Sequence, residues 1–301
     1  MKSLILTLGI ACATSAFATP KRFWQSWSDG RAEVSGYTLS VNRYGQTRQG
    51  QAILIFVTEP FSMSRRVKVD RYDAENPDHT IALKMNYLKR FRTGVYDYAL
   101  MTSVFTIPGQ GFKTLKATFS SQEWCGQVFE NLMTDKTQTR LRIDSYFEGE
   151  SGQQTFDVMV EPEDALWIQA RGLTSGGPGH TLPPTRRISS AAHRRLNHQV
   201  AVPRTMTARW SDPRAYQVAV GTVTVRTLSW QRTPRIKCDL HIEVPPPHRI
   251  IGWTCSDGEE ARLTGSLRMP YWNQARLGDE HVLKALGLPI QVSPDGKTGS
   301  K

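Results

Sequence analysis

The chain has 301 residues, of which 39% are hydrophobic and 22% charged, with a formal net charge of +11. That length suits one large all-β domain or two smaller ones, and no segment after the N-terminus is long and apolar enough to be read as a membrane-spanning helix. The positive surplus points either to an anionic envelope partner, such as lipid head groups, acidic glycans or a cell-wall polymer, or simply to a solvated surface.

Residues 1–18 read as a secretory signal peptide. Lys2 supplies the positive start, Leu4 to Ala13 form an apolar run too short to span a bilayer, and Ser15-Ala16-Phe17-Ala18 places small residues before a cut at Thr19. A rival reading makes Cys12, after Gly9-Ile10-Ala11, a lipidated N-terminus. Either way the expected location is the periplasm or the exterior. Export argues against nucleic acid as the partner of the basic chain, although a high pI otherwise suggests it.

From Arg31 to about Phe147 strand follows strand. Ala32–Tyr44 alternates, Gly45–Gly50 makes a polar turn, and Gln51–Thr58 contains the longest later apolar run. Thr80–Leu88 places Ile81, Leu83, Met85 and Tyr87 on one face. Tyr98–Ile107, Thr114–Ser121 and Thr139–Phe147 complete the run. Strict alternation without long helices predicts an antiparallel meander. The expected fold is therefore all-β, a large antiparallel curved sheet or open barrel spanning 19–290 as a single domain. A transmembrane barrel fits less well, because Lys and Arg occupy many outward positions.

Two short helices are predicted. The first runs from Pro162, with Glu163 and Asp164 favouring its N-terminus, to Gly172; the second covers Asp279 to Leu286. The run 174–190, rich in Gly and Pro, reads as an exposed loop, with Arg186-Arg187 and Arg194-Arg195 making a basic spot beside it. Strands resume after Val200. Residues 291–301 read as a disordered tail.

Cys238 and Cys255 are equidistant from the turn Pro245-Pro246-Pro247-His248. In a symmetric antiparallel hairpin such residues face each other, so they are expected to form a disulfide in an oxidising compartment. Cys125 then stands alone, either as a buried inert cysteine or as a catalytic thiol.

The segments Trp27–Tyr37, Arg43-Tyr44-Gly45, Gly50–Phe61 and Ser121–Gly126 resemble a family of exported bacterial proteins of unknown function. Some members of it carry a septum formation inhibitor label that belongs to an unrelated cytoplasmic enzyme class. The resemblance covers roughly 24–130 and implies no activity or catalytic residues. A looser likeness, in the sheet-rich pattern, the helix at 162–171 and Arg268-Met-Pro-Tyr-Trp272, is to periplasmic lipoprotein-carrier proteins and related half-barrel domains. It implies a curved sheet around an apolar groove.

Catalytic motifs are absent: no Gly-x-Ser-x-Gly and no His-Glu-x-x-His occurs. Gly296-Lys297-Thr298 mimics the end of a phosphate loop without its upstream glycine. His193 and His198 lie in a basic loop without further metal ligands, which reads as two solvated histidines. No metal or cofactor is expected. Eight tryptophans are many for this length. Trp124, Trp210, Trp230 and Trp253 are the candidates to line a ligand groove, the other reading being core packing. The functional expectation is a non-enzymatic envelope protein that binds a lipid or other apolar ligand in the concave sheet face. The alternatives are an interaction module acting through a basic surface, or an unrecognised hydrolase.

Overall fold

The computed structural model describes residues 21–290, so the leader, Cys12, Gly296-Lys297-Thr298 and the tail at 291–301 lie outside the described residues. The alternation read from the sequence produces a chain that is 53% strand and 11% helix. A first meander comprises β1 (Ala32–Arg43), β2 (Gln46–Ser62), β3 (Val67–Lys68), β4 (His79–Thr93), β5 (Tyr96–Ile107), β6 (Lys113–Glu123), β7 (Gly126–Thr134), β8 (Thr139–Ser145) and β9 (Gly152–Phe156). After the short β10 (Glu161–Pro162), β11 (Thr185–Ile188) and β12 (Arg204–Met206), a second meander follows. It comprises β13 (Ala208–Trp210), β14 (Arg214–Val218), β15 (Gly221–Thr233), β16 (Ile236–Glu243), β17 (Ile250–Cys255) and β18 (Glu260–Met269). Antiparallel pairing of β1 with β18 joins the two meanders into one sheet of 15 strands that does not close into a barrel.

The sheet's free edges are β9 at one end and β13 with β14 at the other. The segment 157–207 connects those edges and fills the inner face of the sheet. Val160, Ala165, Leu166, Trp167, Ile168 and Ile188 are all buried in the same core cluster as Leu54, Phe56 and Met85 of the first meander and Leu228, Leu240 and Ile242 of the second. Alternation explains the partition. In β2, Ala52, Leu54 and Phe56 point inward, whereas Ile53, Ile55 and Val57 pack outward against Leu286 and Leu288 of the C-terminal segment. Gly36 and Gly265, directly paired in β1 and β18, let that segment lie on the sheet backbone. A Cβ at either position would collide with the carbonyl oxygen of Leu286 or Ala285.

Four helices are present among the described residues, not two. The predicted pair correspond to α2 (Leu166–Gln169), preceded by a 3-10 turn at Glu163–Ala165, and α4 (His281–Ala285). The additional α1 (Lys21–Trp27) places Phe23 and Trp27 in the core, where Phe23 meets Phe112 edge-on at 5.7 Å. The additional α3 (Ala191–Leu196) is buried over Ala191–Arg195. Within 174–190 the chain as far as Arg186 is exposed or half-buried apart from the buried Gly177, and Arg187, Ile188 and Ser190 are buried. The expected basic spot is largely internal: Arg187, Arg194 and Arg195 are each no more than 5% exposed.

Candidate functional site

Of the four tryptophans expected to line a groove, two meet. Trp230 and Trp253 both pack edge-on against Trp167, at 5.8 and 6.1 Å between ring centroids, with Tyr87 stacked on Trp167 at 5.8 Å. Trp167 belongs to the segment between β9 and β13, so the chain itself occupies the place where an apolar ligand was expected. Trp230 and Trp253 are core residues. Trp210 is half-buried and donates its Nε1–H to the His180 carbonyl at 2.9 Å. Trp124 is 70% exposed on the β6–β7 turn, beside the free Cys125, which is exposed and not buried as one reading had it.

Carboxylates and cations stitch this inner segment to both meanders. Glu163, buried completely, accepts from Trp230 Nε1 at 3.1 Å and Arg232 Nε at 2.8 Å. Asp164 accepts from Ser190 Oγ at 2.8 Å and from the Ala191 backbone at 3.2 Å, and so caps α3 and not its own helix. Burial raises the Asp164 carboxyl, and the neighbouring Glu163 adds to the rise. Glu259 accepts from Lys89 Nζ (2.6 Å), Trp253 Nε1 (2.9 Å) and Tyr87 Oη (3.0 Å). Burial alone would raise this carboxyl, but Lys89 and Arg232 outweigh it and hold it at about 2. Arg171, fully buried, reaches Glu33 at 2.8 Å. Such pairs persist only where both partners are desolvated together and hydrogen-bonded.

The inner segment leaves part of the inner face open, along β7–β9. There the chain from Arg194 to Ala201 stands off the sheet and encloses a cavity of about 520 Å³. Val128, Leu141 and Ile143 supply its apolar wall, and Arg194 and Arg195 its cationic one. Arg194 is paired with Glu130, and Arg195 with Glu123 at 2.5 Å, its guanidinium also lying 3.7 Å over the Phe147 ring. Burial raises the Glu130 carboxyl, with Arg194 opposing. Arg194 Nε and Arg195 Nε and Nη1 are buried without hydrogen-bond partners.

On the other side of α3 lies a second cavity, of about 410 Å³, lined by Arg43, Tyr44, His193, Asn197 and Asp257 among others. Neither histidine of the 193–198 pair is simply solvated as expected. His193 is 5% exposed and its Nδ1 lies 3.2 Å from Asp257 Oδ2. His198 is exposed and pairs with Glu150 at 2.6 Å.

The disulfide Cys238–Cys255 joins directly opposed residues of β16 and β17, as the hairpin symmetry predicts. No His/Cys/Asp/Glu cluster among the described residues could hold a metal ion. The rim cavities escaped sequence reasoning because their walls come from α3 and from turns far apart in the chain. The one signal was the density of Arg, His and Asn over 193–198. Comparison with protein-family models, with curated proteins and with solved structures gave no match, so the chemistry of this chain is read from its own residues alone.

Proposed function

We propose that this chain is an exported, non-enzymatic envelope protein that binds a lipid-like molecule along β7–β9. The observation that carries the reading is the 520 Å³ cavity where the inner segment leaves the sheet uncovered. Its volume falls within the usual range for small-molecule sites. The wall formed by Val128, Leu141 and Ile143 suits an apolar chain, and burying that chain is the driving force. The guanidinium donors of Arg194 and Arg195 that make no hydrogen bond, one of them 3.9 Å from Glu150, suit an acceptor-bearing head, a carboxylate or an ester carbonyl. The ligand is thus amphiphilic, and its place is the margin of the inner face, not the centre around Trp230 and Trp253. The secretory leader read at residues 1–18 supports the envelope part of the proposal.

Native mass spectrometry of protein purified without detergent, followed by titration with palmitate, tests it. The expected result is a co-purified apolar mass or saturable palmitate binding, abolished by Ile143→Trp, which fills the cavity while the disulfide and melting temperature stay near those of the parent. Empty protein that also ignores palmitate would overturn the reading, as would full binding by the Ile143→Trp variant.

A further inference from the structure

The second rim cavity has a different chemistry, and we propose that it is a carbohydrate-binding site in which Tyr44 and the His193–Asp257 pair hold a polyhydroxylated ring.

The first support is a buried ring nitrogen with nothing to bond. His193 Nδ1 lies 3.2 Å from Asp257 Oδ2 and 3.3 Å from Asn197 Nδ2. Its Nε2 is buried without a hydrogen-bond partner. A hydroxyl, which can donate or accept, satisfies it in either protonation state. Asp257 itself keeps 24% of its side chain exposed. Burial would raise its carboxyl, but the His193 hydrogen bond and Arg232 hold it below the usual range, so it accepts further hydroxyls as a carboxylate. Arg43 brings donors to the same cavity. Its guanidinium hydrogen-bonds the Leu196 carbonyl and Tyr98 Oη (3.3 Å), and no carboxylate among the described residues lies within ion-pair distance of it.

The second support is Tyr44. With Gly45 it forms the two-residue β1–β2 turn, at φ +56° and +71°. Asn or Asp fits the first of these positions best, and a bulky residue is strained there. The ring is 58% exposed, with Arg43 stacked 4.3 Å over it. Its hydroxyl meets Tyr96 Oη at 2.8 Å, and Tyr96 lies 6.3 Å from Trp124, whose ring is exposed. An aromatic row therefore runs outward from the cavity along three successive turns of the sheet. Rings with C–H groups on one face and hydroxyls on the rim match aromatic surfaces beside planar polar side chains. An apolar ligand would leave His193 Nε2 and the exposed part of Asp257 unmatched, and a multiply anionic one would face Asp257 and Glu259.

Isothermal titration and Trp124 fluorescence with three neutral probes test the site: the N-acetylglucosamine tetramer, maltotetraose and cellotetraose. Saturable binding of at least one is expected, weakened about tenfold by His193→Gln or by Tyr44→Asn, the loss of one good hydrogen bond or ring contact. Tyr44→Asn should keep or raise the melting temperature, which separates a ligand role from a structural one, and it carries the test if the His193 variant does not fold. Ile143→Trp, across α3, should leave sugar binding intact. No saturable response to any probe up to about 10 mM would overturn the assignment, as would binding that ignores Tyr44→Asn.

Discussion

Lys89 Nζ lies 2.6 Å from Glu259 Oε1, on the inner face of the sheet and with both residues buried. Lys89 continues the inward series Met85, Tyr87 of β4, so a charge occupies a place where the strand's alternation calls for an apolar side chain. It is tolerated because Glu259 arrives from the β17–β18 turn with Trp253 and Tyr87 completing its shell. Removing Glu259 leaves Lys89 charged and buried without its partner, and removing Lys89 leaves Glu259 buried with only Arg232, 3.9 Å away, to offset its charge. Lys89→Met should therefore cost about 3–5 kcal/mol, while the double variant Lys89→Met/Glu259→Leu should cost clearly less than the two single changes together. Urea denaturation of the four proteins in this cycle measures it. Additive losses would show that the two charges do not depend on each other.

The disulfide makes a separate prediction. Cys238 and Cys255 close a loop with a sequence separation of 17. A cross-link of that span lowers the entropy of the unfolded chain enough to stabilise the fold by about 3 kcal/mol. The Cys238→Ala/Cys255→Ala protein should melt several degrees lower under oxidising conditions and match the reduced parent. If the parent's melting temperature is indifferent to reductant, the cross-link contributes nothing to stability.

The cross-link was legible in the sequence because it follows from one local symmetry: two strands, one turn, equal distances. The meanders were legible for the same kind of reason, since alternation in Thr80–Leu88 or Gln51–Thr58 reports directly on the two faces of a strand. The segment 157–207 was not. Glu163, Asp164, Arg187, Arg194 and Arg195 are residues that normally mark a surface, and here they are buried. Their partners Glu123, Glu130, Arg232 and Ser190 sit on other elements, most of them far away in sequence. Nothing local distinguishes an arginine in water from one paired across the inside of a sheet. The surroundings of Trp230 and Trp253 were hidden for a related reason. Trp230 and Trp253 do point inward, as alternation requires, but whether an inward face is open or filled depends on where the connection between the sheet edges runs.

His241 should make stability fall in mild acid. It pairs with Thr227 across β15 and β16, accepts or donates at 2.9 Å through Nδ1, and lies under the Tyr216 ring at 4.6 Å. Burial, with Arg214 and Arg262 adding to it against Asp239 and Glu260, pushes the imidazole down to about 4. The unfolded chain therefore binds a proton at higher pH than the folded one. Stability is at its full value above the ordinary histidine range and declines as pH falls toward 4, by about 2 kcal/mol between pH 8 and pH 5. The same denaturation series on His241→Gln should lack this component. Equal pH slopes for the two proteins would refute the assignment to His241.

Trp167 is the residue on which closure of the inner face depends most. It is 1% exposed, meets Trp230, Trp253 and Tyr87 at once, and its Nε1–H has no hydrogen-bond partner. Its contribution is therefore packing, not polarity. Trp167→Ala should cost about 3–5 kcal/mol, the range for deleting a large buried aromatic. Trp167→Phe, which removes an unsatisfied donor along with part of the ring, should cost far less. The Ala variant should also loosen the segment between β9 and β13, because beyond its own small sheet of β10, β11 and β12 that segment is held by what it meets on the large sheet. Protease cleavage within the exposed stretch ending at Arg186 should accelerate, and a dye that reports apolar surface should bind the Ala variant and not the Phe variant. If the Ala and Phe variants lose the same stability, the hydrogen-bonded charges around Glu163 hold the segment in place and the aromatic cluster does not.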